Sequence, residues 1–102
     1  MKKMIIQYKV KPECAAENRQ YIERVFAELQ ASSPVGVSYA AFTQRDGLTF
    51  VHLVSIENET AGNPLEQSPA FKAFQVGIRD RCAEPPVATD LEEVGSYNLF
   101  GR

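Results

Sequence analysis

The chain opens on an alternating stretch. Met4, Ile6, Tyr8 and Val10 fall on one side and Ile5, Gln7 and Lys9 on the other, a period of two that predicts a strand over residues 4–10. Pro12 breaks the alternation and suits the first turn of a helix, where no N–H is needed. Cys14, Asn18, Tyr21, Ile22, Val25, Phe26 and Leu29 then recur at spacings of three and four. A helix with one apolar stripe follows from that spacing, ending near Ser32, Ser33 and Pro34.

Residues 35–45 and 48–56 are β-rich and flank Asp46-Gly47, a dipeptide suited to the positive φ angles of a type I′ hairpin turn. A two-residue loop pairs Arg45 with Leu48 and sets Thr43 opposite Phe50, Ala41 opposite His52 and Tyr39 opposite Val54. That set shares one face, and Ala40, Phe42, Val51 and Leu53 share the other, so both faces are largely apolar. Helices cover only one side of a two-layer domain, and a second copy of the chain is the simplest cover for the other. The alternative is a monomer whose outer face is wetted by Ser38, Gln44, Thr49 and Ser55.

Residues 57–67 are polar, contain Gly62, Asn63 and Pro64, and read as a loop with about one helical turn. Ser68-Pro69 reads as an N-cap followed by proline at the first helical position. Phe71, Phe74, Ile78 and Cys82 continue as the inward stripe of a second helix, which Pro85-Pro86 should end. Leu91, Val94, Tyr97, Leu99 and Phe100 alternate imperfectly and predict a fourth strand over residues 89–100. The order is βαββαβ, an α+β, ferredoxin-like single domain over residues 1–102, with a four-stranded antiparallel sheet and two helices on one face.

Charge adds exclusions. Eleven Lys+Arg against 13 Asp+Glu give a net charge of -2 with no block of either sign, which argues against nucleic acid and anionic membrane as partners. No stretch approaches the roughly 18 apolar residues of a membrane span, and Gln7 and Lys9 interrupt the first apolar run too early for a signal peptide, so a cytoplasmic location is expected. Cys14 and Cys82 lie too far apart in sequence for a metal motif and are expected as buried free thiols.

The segment FVHLVSIENETAGNPLEQSPAFKAF (residues 50–74) resembles the strand, acidic turn and SPxFxxF helix opening of the antibiotic biosynthesis monooxygenase (ABM) superfamily. EPPVATDLEEVGSY (residues 84–97) is similar to the final strand of such proteins. The resemblance implies a homodimer joined through its sheets into an α+β barrel, with a small-molecule pocket between sheet and helices. It also implies cofactor-independent oxygenation of a small aromatic or quinone-like compound. Departures are visible: Ile56 or Glu57 stands where members often carry Trp or Tyr, and Leu65 where a His is common. The haem-ligating His of the haem-degrading branch is replaced by Gln75 or Gly77, and the chain has no Trp, so haem degradation is not implied.

His52, the sole histidine, is the candidate catalytic base, because an imidazole titrating near neutrality can take a phenol's proton. A core histidine bonded to backbone or to a tyrosine is the competing role. Tyr8, Tyr39 and Tyr97 are candidate substrate-binding hydroxyls, with core packing the alternative for Tyr8. Arg79 or Arg81, near the end of the second helix, either favours the helix dipole or reaches a ligand carboxylate. Two rival functions remain: a non-catalytic dimeric ligand-binding or stress-response domain, and an isomerase or decarboxylase-like enzyme using His52 for proton transfer without oxygen. No phosphate loop, HExxH or CxxC pattern occurs.

Overall fold

A computed structural model describes residues 1–99. In chain order the elements are β1 (Lys2–Val10), α1 (Ala15–Ser32), β2 (Val37–Thr43), β3 (Thr49–Ile56), α2 (Pro69–Gln75), the single turn α3 (Ile78–Arg81) and β4 (Cys82–Leu91). The four strands form one antiparallel sheet in the order β2-β3-β1-β4, so β1 and β3 are central and both βαβ halves interlock.

The apolar stripe of α1 lies on the sheet through Ile22 and Val25, with Asn18 wholly buried in the same row. Ser33, at φ 47, closes the helix in the left-handed conformation, its N–H bonding Leu29 O. Ser68 caps α2 by accepting the Phe71 N–H at 3.0 Å, and its hydroxyl also donates to Glu28, tying α2 to α1. The polar connection over residues 57–67 holds two short 3-10 turns, Glu59–Ala61 and Pro64–Gln67, and Leu65 plugs a small core against Val54 and Ile56.

The hairpin register agrees with the sequence-based pairing at Thr43↔Phe50, Ala41↔His52 and Tyr39↔Val54. Its turn differs. Only Gly47 has positive φ (69), and its N–H bonds Gln44 O at 2.9 Å, so Arg45 and Asp46 occupy the corner and the type I′ geometry is absent. Asp46 explains the choice: its carboxylate accepts the N–H groups of Leu48 and Thr49 and the Thr49 hydroxyl, which holds its pKa down to about 2.

Two further expectations need correction. The second helix breaks at Gly77 (φ 82), so Ile78 starts a separate turn and Cys82 belongs to a strand. The fourth strand starts at Cys82, not at residue 89, and Pro85-Pro86 lie inside it. They fit because β4 is an edge strand and the register against β1 shifts there: Lys9 faces Glu84 and Gln7 faces Val87, leaving both prolines in a bulge opposite Tyr8. Residues 92–99 continue as an exposed segment outside the sheet, and Phe100 lies outside the described residues. Cys14 and Cys82 are free, as expected, but each is only partly buried.

On the face of the sheet away from the helices, Ile5 pairs with Leu53, Leu53 with Ala40, and Gln7 with both Val51 and Val87. Val87 is 64% and Leu91 42% exposed there. The segment after β4 arches along one side of this face, held by Lys3 to Glu93 at 3.5 Å, and encloses a groove of about 540 Å³. Among the described residues, no helix is long and apolar enough to cross a membrane.

Candidate functional site

Three of the side chains singled out from the sequence meet under the helices. Strand alternation sends Tyr8 of β1, His52 of β3 and Tyr39 of β2 to the same face, and the pairings Ile6↔His52 and Ala41↔His52 set them side by side. Tyr8 Oη lies 2.8 Å from His52 Nε2, and Tyr39 Oη lies 2.5 Å from Nδ1. Both ring nitrogens are therefore engaged.

Asn18 and Arg81 extend the cluster. Asn18 Nδ2 donates to Tyr8 Oη at 2.9 Å, and Arg81 Nε donates to Asn18 Oδ1 at 3.1 Å. Arg81 is 5% exposed; its remaining nitrogens donate to the carbonyls of Phe74 (2.7 Å) and Val76 (3.4 Å), and its guanidinium sits 4.5 Å from the Tyr21 ring centre. Its two carbonyl partners lie at the C-terminal end of α2, so the guanidinium also meets the negative end of that helix's dipole. Asn18 left a readable trace in the sequence, a polar residue on the otherwise apolar stripe of α1, but its partner could not be named without the tertiary fold.

Aromatic rings wall the cluster. Phe50 stacks on Tyr8 at 5.6 Å, Phe74 on His52 at 5.5 Å and Phe26 on Tyr39 at 5.0 Å, while Phe71 meets Tyr39 edge-on. Burial in this apolar box disfavours charge on the imidazole and on both phenols. His52 is pushed down from 6.5 to about 4, and the hydroxyls of Tyr8 and Tyr39 are pushed well above the usual tyrosine range. At neutral pH the site holds a neutral imidazole between two neutral phenols.

Arg79 and Tyr97 are not brought to this cluster. Arg79 is exposed on α3, and Tyr97 is 89% exposed in the segment after β4. Besides the groove on the outer sheet face, a cavity of about 510 Å³ lies at the far end of the hairpin between Gly36, Ile56 and the 57–67 loop. Among the described residues, no group of three or more His, Cys, Asp or Glu side chains is placed to hold a metal ion.

The depressed pKa of His52 has a measurable cost. In the unfolded chain the imidazole takes a proton as pH falls below about 6.5, while the folded one resists until about 4, so stability is full above that window and falls within it. Between pH 7 and pH 5 the loss due to His52 is expected to be about 2 kcal/mol. Urea titrations at the two pH values check this: the His52→Gln variant should lose about 2 kcal/mol less than the wild type over the same interval.

Comparison with known proteins supports the architecture at low sequence identity. No protein-family profile matches the chain, and no curated protein matches it by sequence. Solved structures do. Rv0793 from Mycobacterium tuberculosis aligns over 93% of this chain and 96% of its own, at 17% identity and a TM-score of 0.75. A protein named antibiotic biosynthesis monooxygenase aligns over 93% of this chain and 100% of its own, at 18% identity and a TM-score of 0.75. PA3566 from Pseudomonas aeruginosa aligns over 92% of this chain and 94% of its own, at 16% identity and a TM-score of 0.74. The chain therefore has the ferredoxin-like α+β fold of proteins named antibiotic biosynthesis monooxygenase.

Proposed function

We propose that this chain is an ABM-type oxygenase domain that works as a homodimer and oxidises a small phenolic or quinol-like compound without a metal or organic cofactor. The observation that carries the reading is the buried Tyr8, His52 and Tyr39 cluster, set in an aromatic box beneath the helices of this fold. Flat rings suit a flat aromatic ligand, and the phenolic and imidazole groups supply hydrogen bonds to its oxygen. The ligand's own electrons reduce dioxygen: a methylene beside the ring becomes a carbonyl with one oxygen atom, and the other atom leaves as water. Tyr39, half-buried and stacked on Phe26, is the cluster member at which such a ligand is admitted. The outer sheet face, with Val87 and Leu91 exposed, is the dimer contact.

A second reading is favoured by one observation, that both nitrogens of His52 already have partners. The same fold would then bind a ligand without turning it over. Oxygen-electrode measurements with hydroquinones and anthrone-like phenols distinguish the two, and also separate oxygenation from proton transfer without oxygen. The expected result is oxygen uptake matched to product formation and lowered about 100-fold or more in His52→Ala, which breaks the hydrogen-bonded chain that supports Tyr39. Binding of these compounds with no oxygen uptake would select the second reading, and turnover within about twofold of wild type in His52→Ala would remove His52 from the chemistry.

A further inference from the structure

Five side chains form one hydrogen-bonded chain from Arg81 to Tyr39, and donor counting fixes its direction. A guanidinium only donates, so the Asn18 atom facing Arg81 Nε is the amide oxygen, and the amide nitrogen is left facing Tyr8. That nitrogen also only donates, so the Tyr8 oxygen accepts. The Tyr8 hydrogen then has one acceptor among the described residues, His52 Nε2 at 2.8 Å. With Nε2 accepting, the neutral imidazole carries its proton on Nδ1 and donates it to the Tyr39 oxygen at 2.5 Å. The opposite direction would bury the Tyr8 hydrogen without an acceptor, at the full desolvation cost of the group.

The two ends of the chain differ. At one end Arg81 is a buried cation, and among the described residues no carboxylate lies within ion-pair distance of it. Carbonyls and ring faces meet the charge instead, an arrangement that leaves its field uncompensated by an anion. At the other end Tyr39 is half-buried, where Asn18 is 0%, Tyr8 3% and His52 3% exposed. Its O–H hydrogen has no acceptor among the described residues. Every dipole between the two ends points its positive side at Tyr39.

We infer that the site takes a ligand oxygen in its anionic form, a phenolate or enolate held by the Tyr39 O–H, and that Asn18 and Arg81 are positioning residues that aim the chain at it. The inference rests on the reading of this cluster as the ligand site and specifies the ionisation state it selects. His52 passes hydrogen bonding along the chain and does not receive the ligand's proton, which leaves to solvent on binding.

Asn18→Asp tests the direction because it is nearly isosteric and reverses the donor logic. A carboxylate accepts from both Arg81 and Tyr8, so Tyr8 must accept from Nε2–H, and Nδ1 must accept from Tyr39, which uses up the hydrogen meant for the ligand. The chain has one histidine, so a nitrogen-15 spectrum of the full-length protein shows one ring. The expected result is an Nδ1–H tautomer in the wild type and Nε2–H in Asn18→Asp. An Nε2–H or doubly protonated ring in the wild type overturns the inference, as does a folded Asn18→Asp with an unchanged tautomer. Binding is read with 4-nitrophenol at neutral pH through its phenolate absorbance. The wild type should enrich the phenolate, and both Asn18→Asp and Tyr39→Phe should bind it at least about tenfold more weakly. Absent binding, preference for the neutral phenol, or equal affinity in all three proteins overturns the ligand class. Absent oxygen uptake with these results intact would instead remove the oxygenase reading and leave this one standing.

Discussion

Phe74→Ala is expected to lower the unfolding free energy by about 3–5 kcal/mol. The ring is 7% exposed, stacks on His52 at 5.5 Å, lies 6.4 Å from Tyr8 and 6.2 Å from Phe71, and is faced by the Arg81 guanidinium at 5.5 Å. Removing it deletes dispersion contacts with four neighbours and opens a void the backbone cannot close, because the Phe74 carbonyl is held by Arg81. Water entering that void would resolvate the imidazole, so the His52 pKa should climb from about 4 back toward 6.5. Urea unfolding at pH 7 measures the first effect and a histidine NMR titration the second. A loss under 1 kcal/mol with an unmoved titration would mean that Phe74 is not the wall described here.

Leu53→Arg is expected to convert a dimer into a monomer. Leu53 is at the centre of the outer sheet face, paired with Ile5 on β1 and Ala40 on β2, and points away from the helices. In a two-fold contact through that face the substitution is introduced twice, and each guanidinium must be stripped of water against the largely apolar side chains of the facing sheet. A rise of about 100-fold or more in the dimer dissociation constant follows, read by light scattering on a size-exclusion column. The helix-side core is untouched, so the monomer should still fold. A wild-type protein that already runs as a monomer would remove the dimer proposal altogether.

Much of the architecture was legible because it depends on short-range periodicity. The α1 stripe, the Ser68 cap and the hairpin register all rest on contacts between residues fewer than about 20 positions apart, where local pattern and tertiary structure demand the same thing. The errors share a cause. Pro85-Pro86 reads as a terminator when β4's position in the sheet is unknown, and becomes admissible once β4 is at the edge. Gly77 is tolerated in a helical pattern until its positive φ is seen. The Asp46-Gly47 pair signalled a turn correctly, yet Asp46's three acceptor contacts decided its type. At the site, His52, Tyr8 and Tyr39 were found as residues, but their convergence required the register of three strands. Arg81 and Asn18, 63 positions apart, met only through the whole fold.

The bulge at Pro85 and Pro86 also bears on how chains can meet. An edge strand usually offers a row of N–H donors and carbonyls onto which another strand can add. Two adjacent residues without donors, displaced from the ladder at the middle of β4, interrupt that row where a foreign strand would need it continuous. Growth of the sheet sideways is thereby stopped on this flank, and with it the open-ended stacking that leads to fibrils. In the proposed dimer, association is left to the outer sheet face, which closes on itself after two copies.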